Sequence, residues 1–207
     1  MRYKAILFDM DGTLLDTLTD MADAVNHILS VHGWPLRTTE EVRAFVGNGA
    51  RRLMERAVPP EVTGGDFETV LTEYRDWYQA HNCVATAPYP GIPALLAALA
   101  EAGIKTAVGS QKPDATTKTL AARFFPGLPA FGQRDDVPPK PAPDLVFRAL
   151  ETLGVDAADA VYVGDSEVDV ATARNAGLPL AAVSWGFRGR RALAEAGAAV
   201  IVDAAAE

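Results

Sequence analysis

The sequence YKAILFDMDGT at residues 3–13 sets the architecture that the rest of the chain completes. It begins as a short, mostly apolar run and ends at Asp9 and Asp11, which are followed by Gly12 and Thr13. Such a run is typical of a buried strand that leaves a parallel sheet into a glycine-containing loop. The sequence therefore predicts a strand whose carboxyl end carries two carboxylates.

The residues that follow this strand, from 16 to about 84, are predicted to form helices only, because their apolar residues recur at helical spacing. Four helices are expected: one after Asp16, one after residues 39–41, one after residues 47–49 and one over residues 66–81. Asp16 is the predicted N-cap of the first helix and Gly33 its predicted stop.

Beyond residue 91 the pattern alternates between helix and strand. Strands are predicted at residues 104–108, 160–163, 179–183 and 198–202, between helices near 92–99, 114–124, 143–153, 167–176 and 189–196. Alternation of this kind indicates an α/β fold with a parallel sheet covered by helices on both faces. A lone strand is not stable, so the first strand is expected to join this sheet, which makes the helical block an insertion.

Composition narrows the class of protein. The 207 residues include 27 acidic and 19 basic side chains, a net charge of −8, which argues against a nucleic-acid or anionic-membrane partner. The single cysteine, Cys83, offers neither an internal disulfide nor a zinc-ligand spacing. No apolar stretch is long enough for a signal peptide or a membrane span. We therefore expect a cytoplasmic protein.

Reactive side chains follow the ends of several predicted strands, where parallel sheets place their functional crevice. The residues at these strand ends are Asp9, Asp11, Ser110, Asp165 and Asp169, and Lys140 lies in the connection before the helix predicted at 143–153. Four carboxylates gathered around one lysine would repel one another unless a cation joined them. Oxygen ligands, with no histidine nearby in sequence, favour Mg²⁺ as that cation.

A metal-assisted carboxylate cluster of this kind suits phosphoryl transfer. A carboxylate can attack a phosphoryl group and form an aspartyl phosphate, and Asp9, nearer the strand, fits that role. Asp11 fits a general acid that protonates the leaving oxygen and then a base that activates water. Lys140, Ser110 and the backbone N–H groups of the loop at Gly12 and Thr13 would hold the phosphate.

Four segments resemble, in order, the motifs of the haloacid dehalogenase superfamily of phosphohydrolases: residues 9–17 (DMDGTLLDT), 108–110 (VGS), 140–144 (KPAPD) and 164–169 (GDSEVD). Within that superfamily the chain is most similar to the bacterial phosphoglycolate phosphatases. This closer resemblance is carried by residues 46–49 (VGNG), 52–57 (RLMERA), 88–91 (PYPG) and 186–188 (GFR).

The resemblance implies a Rossmann-like catalytic core, residues 1–15 and 86–207, with an all-helical cap, residues 16–85. It assigns Asp9 as nucleophile, Asp11 as acid and base, and Ser110 and Lys140 as phosphate binders. It places Mg²⁺ on Asp9, the Asp11 carbonyl and Asp165, with Asp169 in support. The implied activity is Mg²⁺-dependent hydrolysis of a small phosphorylated metabolite, first of all 2-phosphoglycolate. The sequence departs from the family pattern at two positions: Gln111 stands where the relatives usually have asparagine, and Gly109 stands where they commonly have a branched residue.

Simpler readings of some of these residues stay open. Ser166 and Asp169 could form a capping box, and Ser110 could cap the following helix. The loop Gly47, Asn48 and Gly49 opens a predicted helix, so its N–H groups could bind a substrate carboxylate or serve only as a turn and cap.

Other functions compete with the phosphatase reading. A sugar phosphomutase similar to β-phosphoglucomutase would return the phosphoryl group to its substrate, and a phosphatase for another small substrate would share the same machinery. A receiver-like phosphoacceptor module is the non-enzyme alternative. Residues 16–85 contain no lysine, which argues against phosphonate hydrolysis through a Schiff base on the cap. Both a monomer and a homodimer fit the sequence.

Overall fold

A computed structural model describes residues 3–207, and contacts divide the chain into two units. One unit contains the described residues up to Asp16 together with Pro88–Glu207, and the other is Thr17–Ala87. These divisions fall within two residues of the boundaries expected from the sequence, 15/16 and 85/86. The roles of catalytic core and cap stay predictions.

The strands and helices follow one another in the order expected of an α/β chain with a helical insertion. The strands are β1 (Ala5–Phe8), β2 (Leu15–Asp16), β3 (Ala87–Pro88), β4 (Lys105–Pro113), β5 (Ala130–Gln133), β6 (Ala160–Gly164), β7 (Leu180–Val183) and β8 (Ile201–Val202). The helices are α1 (Leu18–Val31), α2 (Thr39–Phe45), α3 (Gly49–Ala57), α4 (Gly64–His81), α5 (Ile92–Glu101), α6 (Asp114–Phe124), α7 (Asp144–Leu153), α8 (Glu167–Ala176) and α9 (Gly189–Glu195).

The larger sheet is parallel and has the order β5-β4-β1-β6-β7-β8, which confirms the α/β fold expected from the sequence. Its first strand, β1, lies between β4 and β6. Phe8, the last residue of β1, lies opposite Val108 of β4 and Val163 of β6. The residues that follow these three positions are therefore level with one another, at the point where the strand order reverses and parallel sheets bind ligands.

Several details differ from the sequence-based prediction. The short strands β2 and β3, which pair with each other, were not predicted, and β8 is shorter than the predicted strand at residues 198–202. The edge strand β5 was not predicted, because the residues Ala130–Gln133 (AFGQ) are too few and too mixed to give a period. Strand β4 continues to Pro113, beyond the predicted end at residue 108. Thr17, not Asp16, is the N-cap of α1, since Asp16 pairs in β2.

The core beneath the site is built from alternate residues of the central strands. Ala5 and Leu7 of β1 and Tyr162 of β6 are buried together with residues of α7 and α8. Alternate strand residues point to the same face, so one set of side chains fills the core. Burying a leucine stabilises the fold by about 1.5–3 kcal/mol, which makes this face a firm base for the strand ends.

The helical unit Thr17–Ala87 is closed at its own ends by Asp20 of α1, which is 1% exposed. Its carboxylate accepts hydrogen bonds from the backbone N–H groups of Val84, Ala85 and Thr86, at 3.1, 2.8 and 2.9 Å, and from the Thr86 hydroxyl at 2.7 Å. These bonds join the first helix of the unit to its last residues. Across residues 3–207, no helix combines the length and apolar character that a membrane crossing requires.

Candidate active site

Asp9 follows β1 directly and lies buried at the carboxyl end of the sheet. Its backbone N–H donates to the Val163 carbonyl at 2.8 Å, so the ladder continues one residue past the strand. Its Oδ1 accepts a hydrogen bond from the Lys140 ammonium at 2.7 Å. The structure therefore brings together the predicted nucleophile and the predicted phosphate-binding lysine.

Lys140 is held by more than Asp9. Its ammonium also donates to Asp169 Oδ1 at 3.1 Å and lies 5.3 Å from the centre of the Tyr162 ring. The Tyr162 hydroxyl donates to the same Asp169 oxygen at 3.2 Å. Tyr162 was not anticipated as part of the site, because a tyrosine in an apolar run predicts only a core residue.

Asp165 follows β6 and is 2% exposed. Its Oδ2 accepts from the Phe187 N–H at 2.7 Å, and its Oδ1 accepts from the Thr13 hydroxyl at 3.4 Å. A side chain at Gly12 or at Gly186 would collide with this carboxylate, and Gly12 also has φ of +82°. The two glycines therefore let two loops approach Asp165, and phosphate binding by the Gly12 backbone stays a prediction.

Asp169 serves the helix and the acidic cluster together. It forms a capping box with Ser166 at the start of α8, where the Ser166 hydroxyl and N–H donate to Asp169 Oδ2 at 2.6 and 3.2 Å. Its other oxygen receives Lys140 and Tyr162. The capping reading of this segment is thus correct, and it leaves Oδ1 directed at the acidic cluster.

Asp11 is bound by a different part of the chain. Its Oδ1 lies 2.8 Å from the ammonium of Lys112, and its Oδ2 accepts from the Ser110 hydroxyl at 3.3 Å. Lys112 is 9% exposed and was missed by sequence reasoning, which took residues 108–110 as the whole motif. The available signal was its spacing: residues two apart on a strand point to the same side, so Lys112 accompanies Ser110.

The residues that depart from the relatives have simple surroundings. The Gln111 side chain donates from Nε2 to the Lys140 carbonyl at 3.3 Å, so it contacts the predicted phosphate-binding segment through its backbone. A side chain at Gly109 would meet nothing within 4 Å. Neither departure displaces Ser110, whose hydroxyl also accepts from the Lys112 N–H at 3.1 Å.

The acidic residues suit a divalent cation. Asp9, Asp165 and Asp169 are buried and offer carboxylate oxygens that lie within 4.8 Å of one another. When all are ionised, these carboxylates and Asp11 carry four negative charges, and Lys140 and Lys112 offset two. A hard dication such as Mg²⁺ would neutralise the remainder, and carboxylate oxygens are its preferred protein ligands. The donor set therefore fits the predicted metal.

The electrostatics of the cluster support this fit. Burial, with smaller contributions from the Asp169 and Asp11 charges, raises the pKa of Asp9 to about 7 although Lys140 acts against it. Burial likewise raises the pKa of Asp165, reinforced by Asp169 and Asp9. Burial lowers the pKa of Lys140, but the neighbouring negative groups outweigh it and leave that pKa well above its usual value. Carboxylates this hard to ionise together are typical of a cation site.

The predicted substrate loop lies in the helical unit, at the start of α3. Gly47 and Gly49 have φ of +109° and +80°. Asn48 is the N-cap of α3 but makes no capping hydrogen bond, because its side-chain oxygen accepts from Arg56 at 3.0 Å. Arg56 also donates to the Phe45 carbonyl at 2.6 Å, so it contacts the chain at the loop and at the residue before Val46. That this loop contacts substrate stays a prediction.

Comparison with known proteins gives a consistent family. The family model described as haloacid dehalogenase-like hydrolase matches residues 6–183. A phosphoglycolate phosphatase of Cupriavidus necator is 36% identical over 209 residues, 96% of this chain and 88% of its own. An N-acetylmuramic acid 6-phosphate phosphatase of Pseudomonas aeruginosa is 35% identical over 195 residues, 90% of this chain and 84% of its own.

A solved structure agrees in fold as well as in sequence. It is a crystal structure from Lactobacillus delbrueckii of a protein described as a phosphoglycolate phosphatase. It superposes with a TM-score of 0.94 and 36% identity, and the match covers all of this chain and 96% of the other.

Proposed function

This chain belongs to the haloacid dehalogenase-like hydrolase family, and from that premise we propose that it is a Mg²⁺-dependent phosphatase for a small phosphomonoester. The observation that carries the proposal is the buried contact of 2.7 Å between Asp9 and Lys140, beside the carboxylates of Asp165 and Asp169. This arrangement supports the proposal because a carboxylate suited to nucleophilic attack lies beside a lysine suited to phosphoryl oxygens and beside carboxylates suited to a metal ion.

In the first half of the proposed reaction, an Asp9 oxygen attacks phosphorus and the bond from phosphorus to the leaving oxygen breaks. Asp11 gives its proton to that oxygen, so the product leaves as an alcohol and Asp9 carries the phosphoryl group. In the second half, water attacks phosphorus and gives a proton to Asp11. The bond to Asp9 then breaks, and inorganic phosphate leaves with both aspartates restored.

The other residues of the site orient the phosphate. Lys140 would pair with a phosphoryl oxygen, and Ser110 with the N–H groups of Gly12 and Thr13 would donate to the others. Asp9, the Asp11 carbonyl and Asp165 would hold Mg²⁺, with Asp169 in support. The ion supplies charge neutralisation that lets an anionic nucleophile approach an anionic ester.

For the substrate we propose a phosphomonoester that also carries a carboxylate, with 2-phosphoglycolate as the first candidate. The supporting observation is that relatives at 36% and 35% identity are named for phosphoglycolate and for N-acetylmuramic acid 6-phosphate, which are both acids. The N–H groups at Gly47, Asn48 and Gly49 stay the predicted contacts for that carboxylate. The cytoplasmic location, and the expectation of no nucleic-acid or membrane partner, stay predictions as well.

The test is phosphate release with and without Mg²⁺ on substrates that differ in the carboxylate. One pair is 2-phosphoglycolate and ethyl phosphate; the other is N-acetylmuramic acid 6-phosphate and N-acetylglucosamine 6-phosphate, which lacks the lactyl carboxylate. We expect a Mg²⁺-dependent preference of about a hundredfold in kcat/KM for the acid of one pair, about 2.7 kcal/mol of discrimination. Equal rates within both pairs would refute the carboxylate requirement.

The same experiment decides among the competing functions. Transfer of phosphate between the hydroxyls of a sugar phosphate, without release, would favour the phosphomutase. A stable phosphorylated Asp9 without turnover would favour the receiver-like module. The matched control is Asp9→Asn, which keeps the size of the side chain and should abolish both phosphate release and phosphoenzyme formation. Turnover by the pure variant would overturn the assignment of Asp9.

A further inference from the structure

A second lysine lies at the site, and nothing in the reaction described so far uses it. Lys112 is buried on β4, two residues after Ser110, and its ammonium lies 2.8 Å from Asp11 Oδ1. The Ser110 hydroxyl donates to the other oxygen of the same carboxylate at 3.3 Å. One strand end therefore supplies a donor to each oxygen of Asp11.

Two donors on two oxygens restrict a carboxylate more than one donor does. A single hydrogen bond lets the group turn about the bond to Cβ, whereas contacts to both oxygens fix its plane. The Lys112 contact is charged and nearly excluded from water, and such hydrogen bonds are about twice as strong as neutral ones. The Lys112 N–H also donates to Ser110 Oγ at 3.1 Å, so the two donors are held relative to each other.

The two aspartates after β1, Asp9 and Asp11, therefore form ion pairs with different lysines. Lys140 contacts Asp9 and Asp169, whereas Lys112 contacts Asp11. We propose that Lys112 is a positioning residue for Asp11, which fixes the orientation from which Asp11 exchanges a proton with the leaving oxygen and with water. This inference rests on the proposed phosphatase function and assigns Lys112 no contact with substrate.

A positioning role differs from a merely structural one in its dependence on the leaving group. An alcohol needs a proton as it departs, whereas a nitrophenolate departs without one. Misplacing a proton donor by about 1 Å can cost about a hundredfold in rate. Loss of Lys112 should therefore slow the first kind of substrate and largely spare the second, while general damage to the site would slow both.

The test compares kcat for 2-phosphoglycolate, or the best alkyl ester of the panel, with kcat for 4-nitrophenyl phosphate. We expect Lys112→Met to lower kcat about a hundredfold on the alkyl ester and less than about fivefold on the nitrophenyl ester. Asp11→Asn should show the same pattern more strongly. Lys118→Met is the matched control, because Lys118 is an exposed lysine of α6 that pairs with Asp114, and it should change neither rate.

The outcomes separate this inference from the function on which it rests. Equal losses on both esters, or no loss on either, would overturn the positioning role and leave the phosphatase intact. A wild-type chain that hydrolyses neither ester would overturn the proposed function and the inference with it. If Lys112→Met does not fold, the same comparison is made with Lys112→Gln, which keeps a donor without the charge. The loss of kcat on the alkyl ester, relative to the loss on the nitrophenyl ester, should then lie between the values for wild type and Asp11→Asn.

Discussion

Raising the pH from 6 to 8 should tighten Mg²⁺ binding about tenfold. The metal binds ionised carboxylates, and the pKa of Asp9 is raised to about 7, chiefly by burial. About one Asp9 in eleven is then ionised at pH 6 and about ten in eleven at pH 8, a tenfold ratio worth about 1.4 kcal/mol of binding free energy. The raised pKa of Asp165 acts in the same direction, so the affinity for Mg²⁺ should rise by at least tenfold.

Titration calorimetry with Mg²⁺ in two buffers of different ionisation enthalpy measures both the affinity and the protons released. Asp9 alone should release about 0.9 proton per ion at pH 6 and about 0.1 at pH 8, and any proton on Asp165 adds to both values. Asp9→Asn is the control, because it removes one titrating carboxyl from the cluster and should weaken binding while reducing the pH dependence. An affinity that does not change with pH, without proton release, would refute the argument.

The same raised pKa values predict the stability of the metal-free protein. The folded state holds the Asp9 proton up to about pH 7, whereas the unfolded chain releases it near pH 4. The stabilising contribution is therefore fully present below pH 4 and is lost as the pH rises through 7. Without metal the Tm should fall between pH 5 and pH 8, and Mg²⁺ should restore it most at pH 8. A Tm that rises over this interval without metal would contradict the sign.

Three further changes test other parts of the structure. Asp20→Ala leaves three backbone N–H groups without their acceptor and should lower the free energy of unfolding by about 3 kcal/mol in urea titrations. The control is Asp23→Ala, at an exposed position of the same helix, which should change that free energy by less than about 0.5 kcal/mol. Tyr162→Phe removes one hydrogen bond to Asp169 and should lower the free energy of unfolding by about 1 kcal/mol. An unchanged free energy of unfolding would show that this bond does not stabilise the fold. Gly186→Ala drives a methyl group into Asp165, so the thermal stabilisation by Mg²⁺ should largely disappear, and a retained shift would show that the loop can move aside.

The sequence predicts the fold well where one physical rule governs a segment. Buried parallel strands need apolar runs, so β1 and β6 are visible, and amphipathic helices repeat every three to four residues. Strand β5 is not visible, because its four residues lie at the sheet edge and are too few and too mixed in polarity to give a period. A pairing that depends on tertiary context leaves no local pattern.

The candidate site is visible only in part for a similar reason. Asp9 and Asp165 follow strand ends, Lys140 lies in the connection before α7, and the three side chains lie together as predicted. Lys112 was missed because the strand was expected to end at residue 108, so its spacing of two residues from Ser110 was not taken as strand spacing. The position of the Asp169 carboxylate, shared between a helix cap and the cluster, also requires coordinates.

The closure at Asp20 has an entropic consequence. If its two ends were not joined, the helical unit Thr17–Ala87 would be a connection of about 70 residues between the two halves of the other unit, and loop-closure entropy grows with length as about 1.5RT ln n. Asp20 bonds the first helix of the unit to Val84–Thr86, and β2 pairs with β3 at the same junction, so the unit costs the sheet no more than a connection of a few residues would. The difference is about 2.5 kcal/mol. Helical units of other sizes could therefore be exchanged between relatives at this junction, provided that an acceptor is kept at residue 20.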